Sequence, residues 1–300
     1  MKHTIKEWLF ATRFWSLTAS SMPALTAYSY VFYISDTLPV EISWWHGVLA
    51  ILGAITFQVA GNLLNDYFDF KYNVDRKETT YSSRIIVDGE FTPQSIYKAG
   101  VIALIIGCLI GFYLLYAGSV HLLWIGALGV LGTYFYNQLK FRALGDFNIL
   151  IIYGILIGLG VVYVMTGQLM WQAFAVTTPA GLIIVGILHA NNTRDIINDR
   201  TARIKTQAML LGVNNSKSYF TFLIYGAYLG IIVLTAFQII TPFALVVFVT
   251  FPMAMKCVER IFLTDINNLS VIRTLTESVA KLVMLFCLLQ SAANFVAGLI

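Results

Sequence analysis

Long apolar runs alternate with short polar breaks along the whole chain. Stretches at about 9–34, 43–65, 95–117, 119–138, 146–166, 172–194, 218–239, 241–259 and 274–298 each hold the roughly 20 mostly apolar residues that cross a bilayer as a helix. The pattern predicts an all-α, polytopic membrane bundle of about nine transmembrane helices in a single domain over 1–300. Two breaks, Ala117-Gly118-Ser119 and Ile240-Thr241, are short enough to predict tight helical hairpins. The longest polar stretches, about 70–94 and 200–217, predict cap loops or lids rather than passive connectors.

Composition removes the soluble alternative. Hydrophobic residues make up 58% and charged residues 11%, the mean hydropathy is +0.77, and a soluble surface needs roughly a quarter charged residues. No short apolar segment followed by a small-residue cleavage site opens the chain, so a cleaved signal peptide is not expected. The charges fix an orientation. Lys and Arg number 19, and every one falls at the N-terminus or around the breaks after spans 2, 4, 6 and 8. The breaks after spans 1, 3, 5 and 7 carry none. The positive-inside rule then places the N-terminus and the basic loops in the cytoplasm and the C-terminus outside, as expected for a bacterial plasma (inner) membrane protein. Cys108, Cys257 and Cys287 lie in apolar runs without paired spacing and read as small core hydrophobes.

Two polar stretches break the greasy pattern, each closing an apolar run on the cytoplasmic side. The first is Asn62-Leu63-Leu64-Asn65-Asp66-Tyr67-Phe68-Asp69, with Asp75 beyond it. The second runs from Asn191 through Asn192, Arg194, Asp195 and Asn198 to Asp199 and Arg200. On a helix Asn65 shares a face with Asp69, and Asn191 shares one with Asp195 and Asp199. Carboxylates at a bilayer edge are costly unless neutralised, and a hard divalent cation prefers such oxygens. The spacing admits three readings: Mg²⁺ held for a phosphorylated substrate, an ion relay, or solvated helix ends. Basic residues follow each motif, Lys71, Arg76, Lys77 and Arg84 after the first, Arg200, Arg203 and Lys205 after the second. They suit an anionic substrate, although the positive-inside bias explains most of them as well.

The first motif resembles the Asn-Asp-x-x-Asp signature of the UbiA-type intramembrane prenyltransferase superfamily, and the second resembles its Asp-x3-Asp signature. Tyr136-Asn137-Gln138-Leu139-Lys140 continuing to Gly145-Asp146 is similar to the end of that family's fourth span. Arg13-Phe14-Trp15-Ser16 resembles its N-terminal segment, and His189-Ala190-Asn191-Asn192-Thr193-Arg194-Asp195 resembles the branch that prenylates 1,4-dihydroxy-2-naphthoate in menaquinone synthesis. The sequence departs from the family at Asn137-Gln138, Arg203 and Gln207.

The resemblance implies helices around a central cavity capped on the cytoplasmic side. It implies Asp66, Asp69, Asp195 and Asp199 as catalytic and Mg²⁺-binding residues, joined by Asn65 and Asn191. It implies Asn62, Asn65, Asp75, Arg84, Tyr136, Lys140, Asn191, Arg194, Arg200 and Lys205 as substrate-binding residues. The implied substrates are a polyprenyl diphosphate and an aromatic acceptor: 1,4-dihydroxy-2-naphthoate, or alternatively 4-hydroxybenzoate, homogentisate or a chlorin. Phe57, Tyr67, Tyr134, Tyr136 and Tyr153 are candidates for facing an allylic cation. His189, one turn before the second motif, is a candidate for facing the cavity. A cation-coupled transporter is the rival class, but it would carry acids near mid-bilayer on several spans, whereas here they gather at span ends on one side. No nucleic-acid-binding pattern is present, and no obligate protein partner is implied beyond the lipid bilayer itself.

Overall fold

A segment that hides from water must satisfy its backbone internally, which leaves helices as the economical solution for runs of this length. The computed structural model describes residues 3–74, 85–117, 120–201, 204–265 and 269–300, and among them it has no named strand. In chain order the α-helices are α1 (Ile5–Ala11), α2 (Thr18–Tyr33), α3 (Trp44–Lys71), α4 (Pro93–Tyr116), α5 (Leu122–Tyr134), α6 (Tyr136–Lys140), α7 (Gly145–Ile149), α8 (Ile157–Thr166), α9 (Trp171–Arg194), α10 (Ile196–Thr201), α11 (Gln207–Ala236), α12 (Phe251–Phe262) and α13 (Arg273–Ala297). A π-helical stretch, Leu150–Leu156, joins α7 to α8, and a 3₁₀ stretch, Pro242–Thr250, leads into α12.

Among the described residues, seven helical segments are long and apolar enough to cross a membrane: α3, α4, Gly145–Thr166, α9, α11, Pro242–Phe262 and Thr274–Ala297. The other two expected spans are helical but shorter. The run at 9–34 is divided, because α1 stops at Ala11 and α2 begins only at Thr18 and has 16 residues. The turn between them turns Arg13 out of the apolar run, with φ 53°. Asn62 of α3 pays back the backbone there, donating to the Thr12 carbonyl at 2.9 Å and to Ser16 Oγ at 2.9 Å. The run at 119–138 likewise yields α5, with 13 residues, and then the five-residue α6, which re-aims Asn137 and Lys140 toward α3.

Sequence punctuation sets the ends. Thr92 caps α4, accepting from the Ser95 amide at 3.2 Å, with Pro93 in the first turn where its missing N–H costs nothing. Gly167, at φ 69°, terminates α8 in the left-handed conformation that a side chain resists.

Lipid is as apolar as leucine, so helices in a membrane associate through close packing and interhelical hydrogen bonds. The centre of the bundle shows both. α9 packs against α2, α11, α13 and the π-helical stretch, and Val176, Ala180 and Ile183 are fully buried. A Cβ on Gly181 would stand 2.4 Å from the Gly154 Cα, so the two backbones touch. There the π-helical stretch leaves the Gly154 carbonyl to the Thr177 hydroxyl, which donates to it at 2.8 Å. On the periphery, Ile102, Leu109 and Phe112 of α4 are exposed, as a lipid-facing surface requires.

Gly181→Leu should therefore force α9 off the π-helical stretch. It should lower the melting temperature in detergent and the monodisperse fraction on size exclusion, beyond the ~1–3 kcal/mol usual for overpacking. Gly111→Ala, where an added Cβ meets nothing within 4 Å, should leave both unchanged.

Candidate active site

The acidic motifs lie at the C-terminal end of α3 and at the junction of α9 with α10, and α6 inserts between them. The first motif occupies the last turns of α3. Asp69 is buried: its Oδ2 receives Asn65 Nδ2 at 3.0 Å and faces Lys140 Nζ at 3.6 Å, and its Oδ1 receives Asn137 Nδ2 at 3.3 Å. Asp66, also buried, is paired with the Arg13 guanidinium from the turn before α2. The second motif spans the end of α9 and the short α10. Arg194 clasps its neighbour Asp195 through both guanidinium edges, Nε to Oδ1 at 2.8 Å and Nη2 to Oδ2 at 2.7 Å. Asp199 is buried on α10.

Lys140 connects the two halves. Burial works to strip its charge, but Asp69, then Tyr136, Asp199 and Asp195 outweigh it and hold the ammonium above its ordinary pKa. Backbone pairing closes the same junction: the Lys205 amide donates to the Phe141 carbonyl at 3.2 Å, and Arg142 and Lys205 form an isolated bridge. Burial also pushes the Asp199 carboxyl up to about 7; Lys140 opposes the rise, and Asp195 and Asp69 add to it.

The sequence-predicted residues separate by what they touch. Asp66, Asp69, Asn65, Lys140, Asp195 and Asp199 form the polar junction, with Tyr136 beside Lys140 on α6. Asn62 lies on the same stripe of α3 but is occupied in holding the turn at Thr12 and Ser16. Arg200 and the Lys205 side chain are exposed, Asn191 is half-buried, and Arg194 is committed to Asp195. Asp75, Arg84, Arg76, Lys77 and Arg203 lie outside the described residues. Sequence reasoning gave no site role to Arg13, although a lone cation at the mouth of an apolar run is a signal of a buried partner. Asn137, read there as a departure, is the residue that donates to Asp69.

Beneath the junction, a cavity of about 510 Å³ opens between α3, α4, α5, the π-helical stretch and α8. Its walls are almost wholly apolar, with Phe57, Gly107, Gly126 and Leu156 among them. Gln58 and Tyr153 are hydrogen-bonded to each other at its edge. Gln58, Asn62, Asn65 and Asp69 form one stripe along α3, so the cavity edge lies about 16 Å from Asp69 along the helix axis. Of the aromatic candidates, Phe57 and Tyr153 line this cavity. Tyr67 packs instead on Phe68 and Tyr97, and Tyr134 on Phe68 and Phe135.

The donor set suits a hard cation. Asn65 Oδ1 and Asp199 Oδ2 are buried acceptor oxygens without a hydrogen-bond partner among the described residues. No three His, Cys, Asp or Glu side chains among the described residues converge on one point. Mg²⁺ needs no more than one or two carboxylates, completing its shell with water and substrate phosphate oxygens.

A model of the UbiA prenyltransferase family matches residues 10–270. The chain is 35% identical over 231 residues to the UbiA prenyltransferase domain-containing protein 1 homolog of Drosophila melanogaster, covering 75% of this chain and 63% of that protein. It is 32% identical over 230 residues to the human UbiA prenyltransferase domain-containing protein 1, covering 74% and 66%. The match thus spans just under two thirds of these relatives' length. Among solved structures, a UbiA homolog from Aeropyrum pernix superposes with a TM-score of 0.70 at 15% identity, covering 92% of this chain and 97% of that one. A UbiA homolog from Archaeoglobus fulgidus, solved with DMAPP and Mg²⁺, gives 0.59 at 14% identity, covering 95% and 99%.

The Asp199 shift has a sign that can be checked. A carboxyl raised by the fold binds a proton that the unfolded chain has already released, so its stabilising share is full at low pH and is lost as pH rises through about 7. Metal-free protein should melt at a lower temperature at about pH 8 than at about pH 6, and Asp199→Asn should flatten that difference. An unchanged pH slope in the variant would count against the assignment.

Proposed function

The chain belongs to the UbiA prenyltransferase family, and from that premise we propose that it is an integral membrane enzyme that transfers a prenyl group from a prenyl diphosphate to an aromatic acceptor. The observation that carries the reading is the placement of Lys140 between two facing acidic motifs, with an apolar cavity further along α3. A prenyl diphosphate has the matching asymmetry, a polyanionic head on a hydrocarbon tail.

In this reading Asp66, Asp69, Asp195 and Asp199, with Asn65 and Asn191, hold Mg²⁺, and Arg194, Arg200 and Lys205 stand near the diphosphate with Lys140 and Tyr136. Bound Mg²⁺ supplies Lewis-acid stabilisation of the departing pyrophosphate. Lys140 offers a fixed ammonium to the same developing charge, desolvated and therefore stronger than in water. Asp66 and Asp195 are masked by Arg13 and Arg194, whose guanidinium groups can turn to phosphate oxygens when the carboxylates take up cations. The apolar cavity receives the tail and keeps water from the allylic carbon, and the faces of Phe57 and Tyr153 are available to an allylic cation at ~0.5–2 kcal/mol each.

The acceptor we propose is 1,4-dihydroxy-2-naphthoate, on the likeness of the His189–Asp195 segment. The allylic C–O bond breaks with its electron pair leaving on pyrophosphate. The ring carbon bearing the carboxylate then forms the new C–C bond, and loss of CO₂ returns its electron pair to the ring, giving demethylmenaquinol. The charge pattern supports a site on the cytoplasmic side of a bacterial plasma membrane, with the C-terminus outside.

Purified protein in nanodiscs, given Mg²⁺, a polyprenyl diphosphate and 1,4-dihydroxy-2-naphthoate, should yield a decarboxylated prenyl naphthol by mass spectrometry. EDTA should abolish the product, and Asp69→Ala or Asp195→Ala should lower turnover at least ~100-fold, the scale of losing one such stabilising group. Turnover only with 4-hydroxybenzoate, homogentisate or a chlorin would keep the chemistry and replace the acceptor. Absence of pyrophosphate release with every acceptor would overturn the enzyme reading in favour of a transporter.

A further inference from the structure

Beside the second acidic motif, near the C-terminal end of α9, lies a buried polar cluster to which the reaction above assigns nothing. His189 is fully buried, and its Nδ1 lies 2.7 Å from Asp146 Oδ2. Asn192, on the same face of α9 three residues on, donates from Nδ2 to Asp146 Oδ1 at 3.5 Å. The Tyr219 ring of α11 meets the imidazole edge-on at 4.7 Å between centroids. His189 Nε2 is buried without a hydrogen-bond partner among the described residues. The imidazole therefore packs at a helix junction and does not face the cavity beside Phe57 and Tyr153.

We propose that the His189–Asp146–Asn192 cluster is a positioning device for Lys140, bolting the α6–α7 elbow to the helix that carries the second acidic motif. The inference rests on the diphosphate-site reading above and deepens it. α6 has only five residues, too few to hold its own conformation, and Ala143 in the following turn sits at φ 60°, a left-handed conformation that a side chain disfavours. Something outside the segment must therefore fix where Lys140 stands. Asp69 and Asn137 tie its upper side to α3, but those are the very groups the substrate and its cations would engage.

The lower side is held by a different route. Gly145 lies against the Lys140 backbone: a Cβ there would be 3.3 Å from the Lys140 Cα. Asp146 is the next residue, and both its oxygens are claimed by α9. A carboxylate–imidazole pair in an apolar interior is a poor source of stability compared with well-packed hydrophobic side chains of the same volume. What it adds is direction, since the bond is made at one distance and angle. Because the end of α9 carries Asn191 and leads directly into Asp195, the cluster sets the spacing between Lys140 and the second motif without itself touching the substrate.

A double-mutant cycle tests this on the full chain in nanodiscs, with Mg²⁺-dependent binding of geranyl diphosphate read by calorimetry, so that no acceptor is needed. Lys140→Ala should weaken binding roughly 10- to 100-fold, the scale of a lost charge-assisted bond. His189→Phe, which keeps the ring volume, should weaken it about 5- to 10-fold with Lys140 present and less than ~2-fold in the Lys140→Ala background. If His189→Phe does not fold because Asp146 is left buried and unpaired, Asp146→Asn weakens the same bond without emptying the site, and the same non-additivity should appear. An equal loss in both backgrounds, or none in either, overturns the positioning role while leaving the diphosphate site standing. No effect of Lys140→Ala by itself overturns the diphosphate reading, and this inference falls with it.

Discussion

The constraint on which the rest depends is charge compensation at the edge of an apolar bundle. Breaking a buried ion pair by removing one partner costs ~3–5 kcal/mol, so every carboxylate gathered at the helix ends must find a cation or a hydrogen bond. The chain provides them individually: Arg13 for Asp66, Lys140 for Asp69, Arg194 for Asp195, His189 for Asp146. Asp199 is the least satisfied of the group, with a buried oxygen unpartnered among the described residues and a carboxyl pushed up to about 7. A divalent cation beside that oxygen would complete the charge balance of the arrangement.

The backbone is bent to achieve this. Four described non-glycine residues adopt positive φ, and three of them, Arg13, Asn73 and Ala143, lie beside the elements that carry Asp66, Asp69 and Lys140. Left-handed backbone at such residues is tolerated where the surroundings over-determine it, and it gathers at functional sites. At Arg13 the payoff is visible: the helix breaks, the guanidinium leaves the apolar run, and Asn62 takes up the exposed backbone carbonyl of Thr12. The short α6 follows the same logic, ending the apolar run of α5 so that Asn137 and Lys140 can turn to Asp69.

Polar and apolar demands are divided along one helix. The C-terminal end of α3 carries Asn65, Asp66 and Asp69, while its middle lends Phe57 and Gln58 to the cavity wall. Close approach elsewhere, as at the Gly154–Gly181 contact, keeps α9 rigidly seated against the π-helical stretch that brings Tyr153 to that wall. The long helices α3 and α9 thus carry Asp69 and Asn191, while Lys140 stands on the short α6 that its neighbours must fix.

The sequence by itself determined the membrane class, the all-α architecture, the gathering of charge on one side, and the residues of the two acidic motifs. Each of these is local: a run of about 20 apolar residues reports its own burial in lipid, and carboxylates three or four apart report their shared helix face. Only the tertiary structure decided which cation answers which carboxylate, that Lys140 joins the two motifs, that Asn62 serves the α1–α2 turn, and that His189 faces Asp146 away from the cavity. The shortened α2 and α5 belong to the same class. Hydropathy counts apolar residues but does not register a pairing such as Arg13 with Asp66, 53 positions apart, because the energy of that pair exists only once distant segments meet in a medium where an unpaired charge is unaffordable.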